Sequence, residues 1–247
     1  MNKGWMILVG LLGLQVAYAD QLVVVAGATG RTGLHVVQQL QGQGVKVRAL
    51  VRDANKAKET LGDGVETVIA DVKDPASLQR ALVGATAVVS AIGSGGDWFG
   101  DNGPEFVDYA GNKNLALAAK AAGVQHMVLV SSMGISNLQH PLNRRFNNVL
   151  IWKYLGEEAL RKSGVPYTII RPGGLKDDAA GTRGIRLTAA DQAGQGTVNR
   201  ADVALACVKA LFNPAAQGKT FELTNTDQTG DVSDWSALFA GVEPDKE

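Results

Sequence analysis

The chain has 247 residues, 45% of them hydrophobic, and 24 Lys+Arg balance 24 Asp+Glu for a formal net charge of zero. Such length and apolar content suffice for a sizeable core and exclude a disordered chain, and the neutral balance gives no support to a nucleic-acid-binding protein. A single cysteine, Cys207, excludes an intrachain disulfide and a cysteine-rich zinc site, and three scattered histidines (His35, His126, His140) offer no metal cluster.

Residues 1–19 differ from the rest. Lys3 supplies a small positive start, Trp5 to Leu14 is apolar or Gly, and Ala17-Tyr18-Ala19 fits a small-x-small cleavage pattern. The segment reads as a secretory signal or an anchor, with a buried extension as the alternative; the apolar run is short for a bilayer span of about 20 residues. It implies export or membrane association. Residues 20–247 read as one domain, with no linker or low-complexity stretch dividing them.

From Leu22 onward, β-branched runs alternate with helical patterns. Leu22–Ala26 is continuously apolar, as in a strand buried on both faces. A helix over Thr32–Gln41, ended by Gly42, leads to a strand at Val45–Val51, a short helix at Asn55–Leu61 and a third strand at Val65–Ala70. Asp74 and Pro75 supply the cap and first residue of the next helix. A fourth strand at Ala87–Ala91 is followed by a Gly-rich loop, Ile92 to Gly103, and an Ala-rich helix from Pro104 to Ala122, stopped by Gly123. A strand at His126–Ser131, a helix at Phe146–Ser163 and a strand at Tyr167–Ile170 complete the regular part. Beyond Gly173 the pattern loosens, with helices expected at Arg200–Leu211 and Ser233–Ala240 and a strand near Thr220–Leu223. This order predicts an α/β fold: a Rossmann-like, doubly wound parallel sheet with a small C-terminal lobe. Ligands of such sheets bind outside the carboxyl ends of the strands.

Gly27-Ala28-Thr29-Gly30-Arg31-Thr32-Gly33 follows the first strand and opens the first helix. In a dinucleotide site one such glycine makes the turn, one admits the pyrophosphate and one packs helix on strand, while the helix N-terminus offers free N–H groups. The second strand ends at Arg52-Asp53, Arg52 lying 19 residues past Gly33. A guanidinium there suits the 2′-phosphate of NADP, with Arg31 as a second candidate; the alternative makes Asp53 a ribose ligand and Arg52 a solvated helix-start residue. Asp71-Val72 ends the third strand, where the carboxylate can meet the adenine amino group or serve a turn. Ala91-Ile92-Gly93 ends the fourth, small enough to let the chain pass close to a cofactor.

Together GATGRTG, LVRD, AGNKNLALAAKAAGV, VLVSSMG, HPLN, KSGVPYTIIRPGGL and NRADVA, spread from Val23 to about Val203, resemble the atypical short-chain dehydrogenase/reductase family. The likeness is to its NmrA-like and biliverdin-reductase-B-like branch of plant and cyanobacterial type. The resemblance implies NADP binding. In main-line members a Ser, a Tyr and a Lys reduce carbonyls. Tyr109 and Lys113 match YxxxK by spacing but precede the fifth strand, whereas the family's motif follows it, so Tyr109 reads as a packing residue. The matching lysine is Lys153, 21 residues after Ser132; four positions before it stands Val149, which has no acid–base chemistry. Tyr154 adjoins Lys153 but does not share its face. Ser131 lies beside the cofactor path, Ser132 is taken as the serine, and Met133 is the other residue that could align with it. Arg171-Pro172-Gly173-Gly174 would run beside the nicotinamide, Pro172 and Gly173 passing closest.

Two functions follow from the resemblance. One is an NADPH-dependent reductase of a small conjugated or quinone-like substrate, with Lys153 on the nicotinamide ribose and Ser132 orienting the substrate. The other is a non-catalytic NADP-binding redox sensor or scaffold of a membrane complex. A small-molecule partner, a monomer or weak dimer, and no metal are expected. NADP use points to a cytoplasmic or stromal side, in tension with a signal-like start.

Overall fold

The computed structural model describes residues 21–228, 232 and 234–246; the signal-like segment 1–19 and Ser233 of the last expected helix lie outside the described residues. The first half runs β1 (Leu22–Ala26), α1 (Arg31–Gly42), β2 (Lys46–Val51), α2 (Ala54–Leu61), β3 (Glu66–Ile69), α3 (Pro75–Ala81) and β4 (Ala87–Ser90). A wide π-helical turn, Glu105–Gly111, then leads into α4 (Asn112–Ala121), β5 (His126–Val130), α5 (Pro141–Arg145), α6 (Val149–Ser163) and β6 (Tyr167–Pro172). The remainder is β7 (Gly174–Lys176), β8 (Ile185–Ala189), β9 (Thr197–Asn199), α7 (Arg200–Leu211), a 3₁₀ turn at Pro214–Ala216, β10 (Lys219–Asn225) and α8 (Trp235–Ala240).

Eight strands form one sheet in the order β3-β2-β1-β4-β5-β6-β10-β8. The order reverses between β1 and β4, the Rossmann-like switch point where a crevice opens. Side chains alternate along β1: Val23 and Val25 join the core under α1, α7 and α8, while Val24 and Ala26 join the one under α3, α4 and α6. A strand clad on both faces must be apolar at every position, which is why LVVVA shows no alternation.

The Rossmann-like, mostly parallel α/β sheet is as expected, with an added edge: β8 pairs antiparallel with β10, and β7 with β9 form a separate parallel pair. Two expectations are corrected. The long helix expected from Pro104 begins as the π turn, at whose end Gly111 passes so close to Val72 that a Cβ there would lie 2.7 Å from Val72 Cγ2. The helix expected from Phe146 starts at Val149. Asn147 and Asn148 both take positive φ (48° and 57°), conformations Asn tolerates better than most residues, and so break the chain between α5 and α6.

Candidate cofactor and substrate site

The glycine loop is shaped by backbone proximity. Gly27 has φ +80°, and a Cβ on it would sit 2.6 Å from the Ala91 carbonyl oxygen; one on Gly33 would sit 2.1 Å from the carbonyl oxygen of Gly27. Neither contact can relax through a side chain, so both positions require glycine. No side chain caps α1 and its first turn holds no acid, leaving its N–H groups and positive dipole end for an anion. The cradle therefore fits a dinucleotide diphosphate.

A cavity of about 370 Å³ opens beside this loop over the ends of β1 to β4. Gly27, Thr29, Gly30, Arg52, Asp71, Val72, Ala91, Ile92 and Gly93, all expected on sequence grounds, line it. Lys56 and Asn102, which were not expected, also line it. Arg52 donates to Asn102 Oδ1 at 3.0 Å, and Lys73 Nζ donates to the same oxygen at 3.0 Å, tying the 92–103 loop across the cavity. Asp53 is absent from the wall: its carboxylate accepts from the N–H groups of Asn55 and Lys56 and caps α2. Asp71 Oδ1 accepts from the Lys73 N–H at 2.8 Å.

Four residues of the loop lie elsewhere. Ala28 is buried in the core, and Thr32 and Gly33 start α1 behind the wall. Arg31 is exposed and meets Asp177 at 3.0 Å, the carboxylate that also holds Arg200 at 2.6 Å. Its guanidinium reaches toward the segment after β7, so Arg52, and not Arg31, is the arginine on the cavity wall.

A second cavity, of about 1190 Å³, lies over the ends of β5, β6 and β10. Ser132, Met133, Pro172, Gly173 and Gly174 line it. Ser132 Oγ donates to the Met133 carbonyl at 3.0 Å, while Ser131 Oγ is buried with no hydrogen-bond partner among the described residues. Gly173 is forced by the residue just before β9, since a Cβ on it would stand 2.5 Å from the Gly196 carbonyl oxygen. Arg171 does not join the wall. It is buried, its Nε and Nη2 donate to Glu157 at 3.0 and 2.8 Å, and its Nη1 donates to Asp191 at 3.2 Å. Burial opposes its charge, but Glu157 outweighs that and raises its pKa.

Lys153 rises from α6, whose first turn is capped across the break by Asn143, accepting from the N–H groups of Leu150 and Ile151. His140 in turn caps α5 by accepting from Leu142 N–H at Nδ1, so HPLN is a double cap that sets the angle of the Lys153 helix. Lys153 Nζ lies 2.6 Å from Asp108 Oδ1, a close ion pair. Asp108 is 1% exposed, and its other carboxylate oxygen accepts from Ser94 Oγ. Behind it, Asn112 donates to the Asp108 carbonyl and accepts from Ser90 Oγ. Ser94 belongs to the wall of the first cavity, so this buried chain connects the lysine to it. Asp108 and Ser94 were missed on sequence grounds; the signal was a lone acid one residue before the YxxxK decoy.

Tyr109 stacks on Trp152, ring centroids 6.0 Å apart, as a packing residue does. Val149 is buried with Ile135 and Leu150. Tyr154 is partly exposed and belongs to neither cavity. Cys207 is fully buried, which pushes its thiol up to about 12 and removes it as a nucleophile at neutral pH. Tyr167 donates to Asp245, and burial together with that carboxylate raises it to about 12.

Among the described residues no helix is long and apolar enough to cross a membrane. The chain matches the NAD(P)H-binding family over residues 27–214. It is 41% identical over 244 residues to an uncharacterized chloroplastic protein of Arabidopsis thaliana, covering 89% of this chain and 75% of that one. It is 38% identical over 261 residues to sanguinarine reductase of Eschscholzia californica, covering 89% and 95%. Among solved structures it resembles an NAD-dependent epimerase/dehydratase, so titled, from Bacillus halodurans at TM-score 0.75 and 28% identity, covering 85% and 96%. The glycine cradle, the switch-point cavity and these relatives together place the chain in the NAD(P)H-binding family, in the atypical short-chain dehydrogenase/reductase branch of NmrA-like, plant-type proteins.

Proposed function

We propose that the protein is an NADPH-dependent reductase of a small conjugated or quinone-like molecule. The observation that carries this reading is the pair of cavities over the carboxyl ends of neighbouring strands, one walled by the glycine loop and Arg52, the other by Ser132 and Pro172-Gly173. The turn from Gly27 to Gly33 and the start of α1 would take the diphosphate. Arg52, with Lys56 beside it, would take the 2′-phosphate; a guanidinium stays charged and donates in a planar fork. Asp71 would meet the adenine. Lys153 pairs with Asp108 by charge and carries three N–H donors, so the ribose hydroxyls would take one of them. Ser132 would orient the acceptor. When bound, the nicotinamide supplies two electrons and one hydrogen to the acceptor.

Asp53, spent on the α2 cap, supports NADP over NAD, because the carboxylate an NAD site wants at that strand end is not free. A relative bearing the name of a reductase supports the reaction class. The chloroplastic relative fits a compartment that supplies NADPH, and N-terminal sequencing of the native protein decides whether residues 1–19 are retained. One observation favours the non-catalytic alternative: Val149 replaces the family tyrosine and Asp108 neutralises Lys153. Purified protein tested with NADPH against quinones, flavins and enals separates the two. Acceptor-dependent NADPH oxidation supports the reductase; tight NADPH binding with no oxidation of it by any acceptor supports the sensor.

A further inference from the structure

Three cations stand at or beside one corner of the first cavity. Arg52 leaves the end of β2, Lys56 lies in the first turn of α2, and Lys73 lies in the turn between β3 and α3. All three are exposed, and among the described residues no carboxylate lies within ion-pair distance of any of them. Elsewhere the chain matches such cations with acids: Arg31 and Arg200 share Asp177, Arg48 meets Glu66 and Lys58 meets Asp63. The acids near this corner are turned to backbone instead. Asp53 accepts from the N–H groups of Asn55 and Lys56, and Asp71 accepts from that of Lys73. Asp74 accepts from Ala76 N–H, and Asp97, itself on the wall, accepts from Asn102 N–H.

Two of the cations share a neutral oxygen. Arg52 Nη1 and Lys73 Nζ each donate to Asn102 Oδ1 at 3.0 Å, which holds the two positive nitrogens within 6.0 Å of each other. Like charges repel at that spacing, and an amide oxygen carries no net charge to offset them. A guanidinium has five N–H donors and an ammonium three. Asn102 takes one from each, and the Asp101 carbonyl takes another from Lys73 at 3.2 Å, so both cations keep donors for a further acceptor. Asn102 is braced in turn, since its loop folds on itself through the Asp97 carboxylate and a Gly103 N–H to Gly100 carbonyl bond of 2.9 Å. A phosphate monoester near neutral pH brings close to two negative charges and three acceptor oxygens. We propose that Asn102 is a positioning residue for the 2′-phosphate of NADP: it draws Lys73 toward Arg52, so that Lys73, which is not part of the cavity wall, becomes a third phosphate cation beside Arg52 and Lys56. This rests on the reading of the first cavity as the NADP site.

Adenosine 2′,5′-bisphosphate and 5′-AMP share an adenosine and a 5′-phosphate and differ only in the 2′-phosphate. Calorimetric titration of the full chain with each measures that difference without turnover. The wild type should bind the bisphosphate at least about 10-fold tighter, with a preference that falls as salt is added. Lys73→Ala should weaken the bisphosphate about 5-fold and leave 5′-AMP within about twofold. Asn102→Ala should do the same while removing no charge, and should do less in the Lys73→Ala background, because part of its effect runs through that lysine. Asn102→Asp sets a carboxylate between the cations and should erase the preference. Equal weakening of both nucleotides by Asn102→Ala would mean that it only keeps the loop folded, since Ile92, Gly93 and Ser94 line the same cavity, and overturns the positioning role. Lys73 is exposed, so Lys73→Ala decides even where an Asn102 variant fails to fold. A preference untouched by Lys73→Ala and Asn102→Ala overturns the proposal and leaves the NADP reading with Arg52 and Lys56. No preference in the wild type removes the NADP reading and the proposal with it. The expected pattern in a protein that oxidises no NADPH keeps the proposal and rejects the reductase reading.

Discussion

The glycine-loop half of the sheet, β1 to β4, and the half built on β5, β6 and β10 hold their cavities with different materials. In the first, backbone meets backbone: Gly27 against Ala91, Gly33 against Gly27, an uncapped helix end and few charges of any depth. In the second, charged side chains from distant segments lock together. Glu157 of α6 takes both Arg161 and Arg171; Arg171 passes to Asp191, Asp191 to Ser136, and Arg161 to Asp245 near the C-terminus. Backbone contacts of this kind admit no substitution without moving the chain, whereas a side-chain network behind a cavity can be retuned one residue at a time.

The comparison is broken most forcefully at Arg171. Arg171→Met matches its bulk but leaves Glu157 and Asp191 short of a cation in a buried setting. Loss of one member of a buried ion pair typically costs about 3–5 kcal/mol, so chemical denaturation should show a loss of that order. A loss below about 1 kcal/mol would mean that Arg161 alone satisfies Glu157 and that the network adds little.

Lys153 tests the seam between the halves, since α6 belongs to the second and Asp108 reaches Ser94 in the first. Lys153→Ala should weaken NADPH binding by about 1.5–3 kcal/mol if it removes a charge-assisted hydrogen bond. Calorimetric titration of NADPH provides the check. Unchanged affinity would assign the lysine to Asp108 alone and remove it from the cofactor site.

A smaller effect is expected at Arg52, because its side chain is exposed and water competes for it. Arg52→Ala should cost about 10-fold in NADPH affinity and leave NADH within about twofold. Equal affinities of the wild type for the two dinucleotides would sink the NADP assignment.

What could be read from the chain follows the same division. A strand buried on both faces, a cap at Asp74 and glycines at fixed offsets are local patterns, so β1, α3 and the first cavity were legible. Arg52 and Asp53 are neighbours with different partners: Arg52 stands on the cavity wall and donates to Asn102, while Asp53 caps α2, a division that the sequence does not mark. The Lys153–Asp108, Arg171–Glu157 and Glu222–Ala193 contacts join residues from different elements, and no spacing rule announces them. The Arg31–Asp177 pair shows the same limit, since its two residues lie far apart along the chain. The antiparallel β8 was hidden because its sequence, IRLTA, carries no mark of direction.

Tyr109 is where local pattern and fold disagree outright, and it should show the smallest effect. Tyr109 and Lys113 have the catalytic spacing, but Lys113 Nζ lies over the Tyr109 ring, 6.0 Å from its centroid, and the ring stacks on Trp152 of α6. A phenol used as a proton donor must present its oxygen to the acceptor, and Tyr109 belongs to the wall of neither cavity. Tyr109→Phe keeps the stacked ring and deletes only the hydroxyl. Any NADPH-linked activity should therefore stay within a few-fold, whereas loss of a general acid typically costs about 100-fold or more. Tyr109→Ala is the informative companion: it removes the stack of a half-buried ring as well, so it should lower stability by about 1 kcal/mol even where Tyr109→Phe is silent. A 100-fold loss in a folded Tyr109→Phe protein would place the acid–base group ahead of the fifth strand and make the π turn, with Asp108 beside it, the catalytic element.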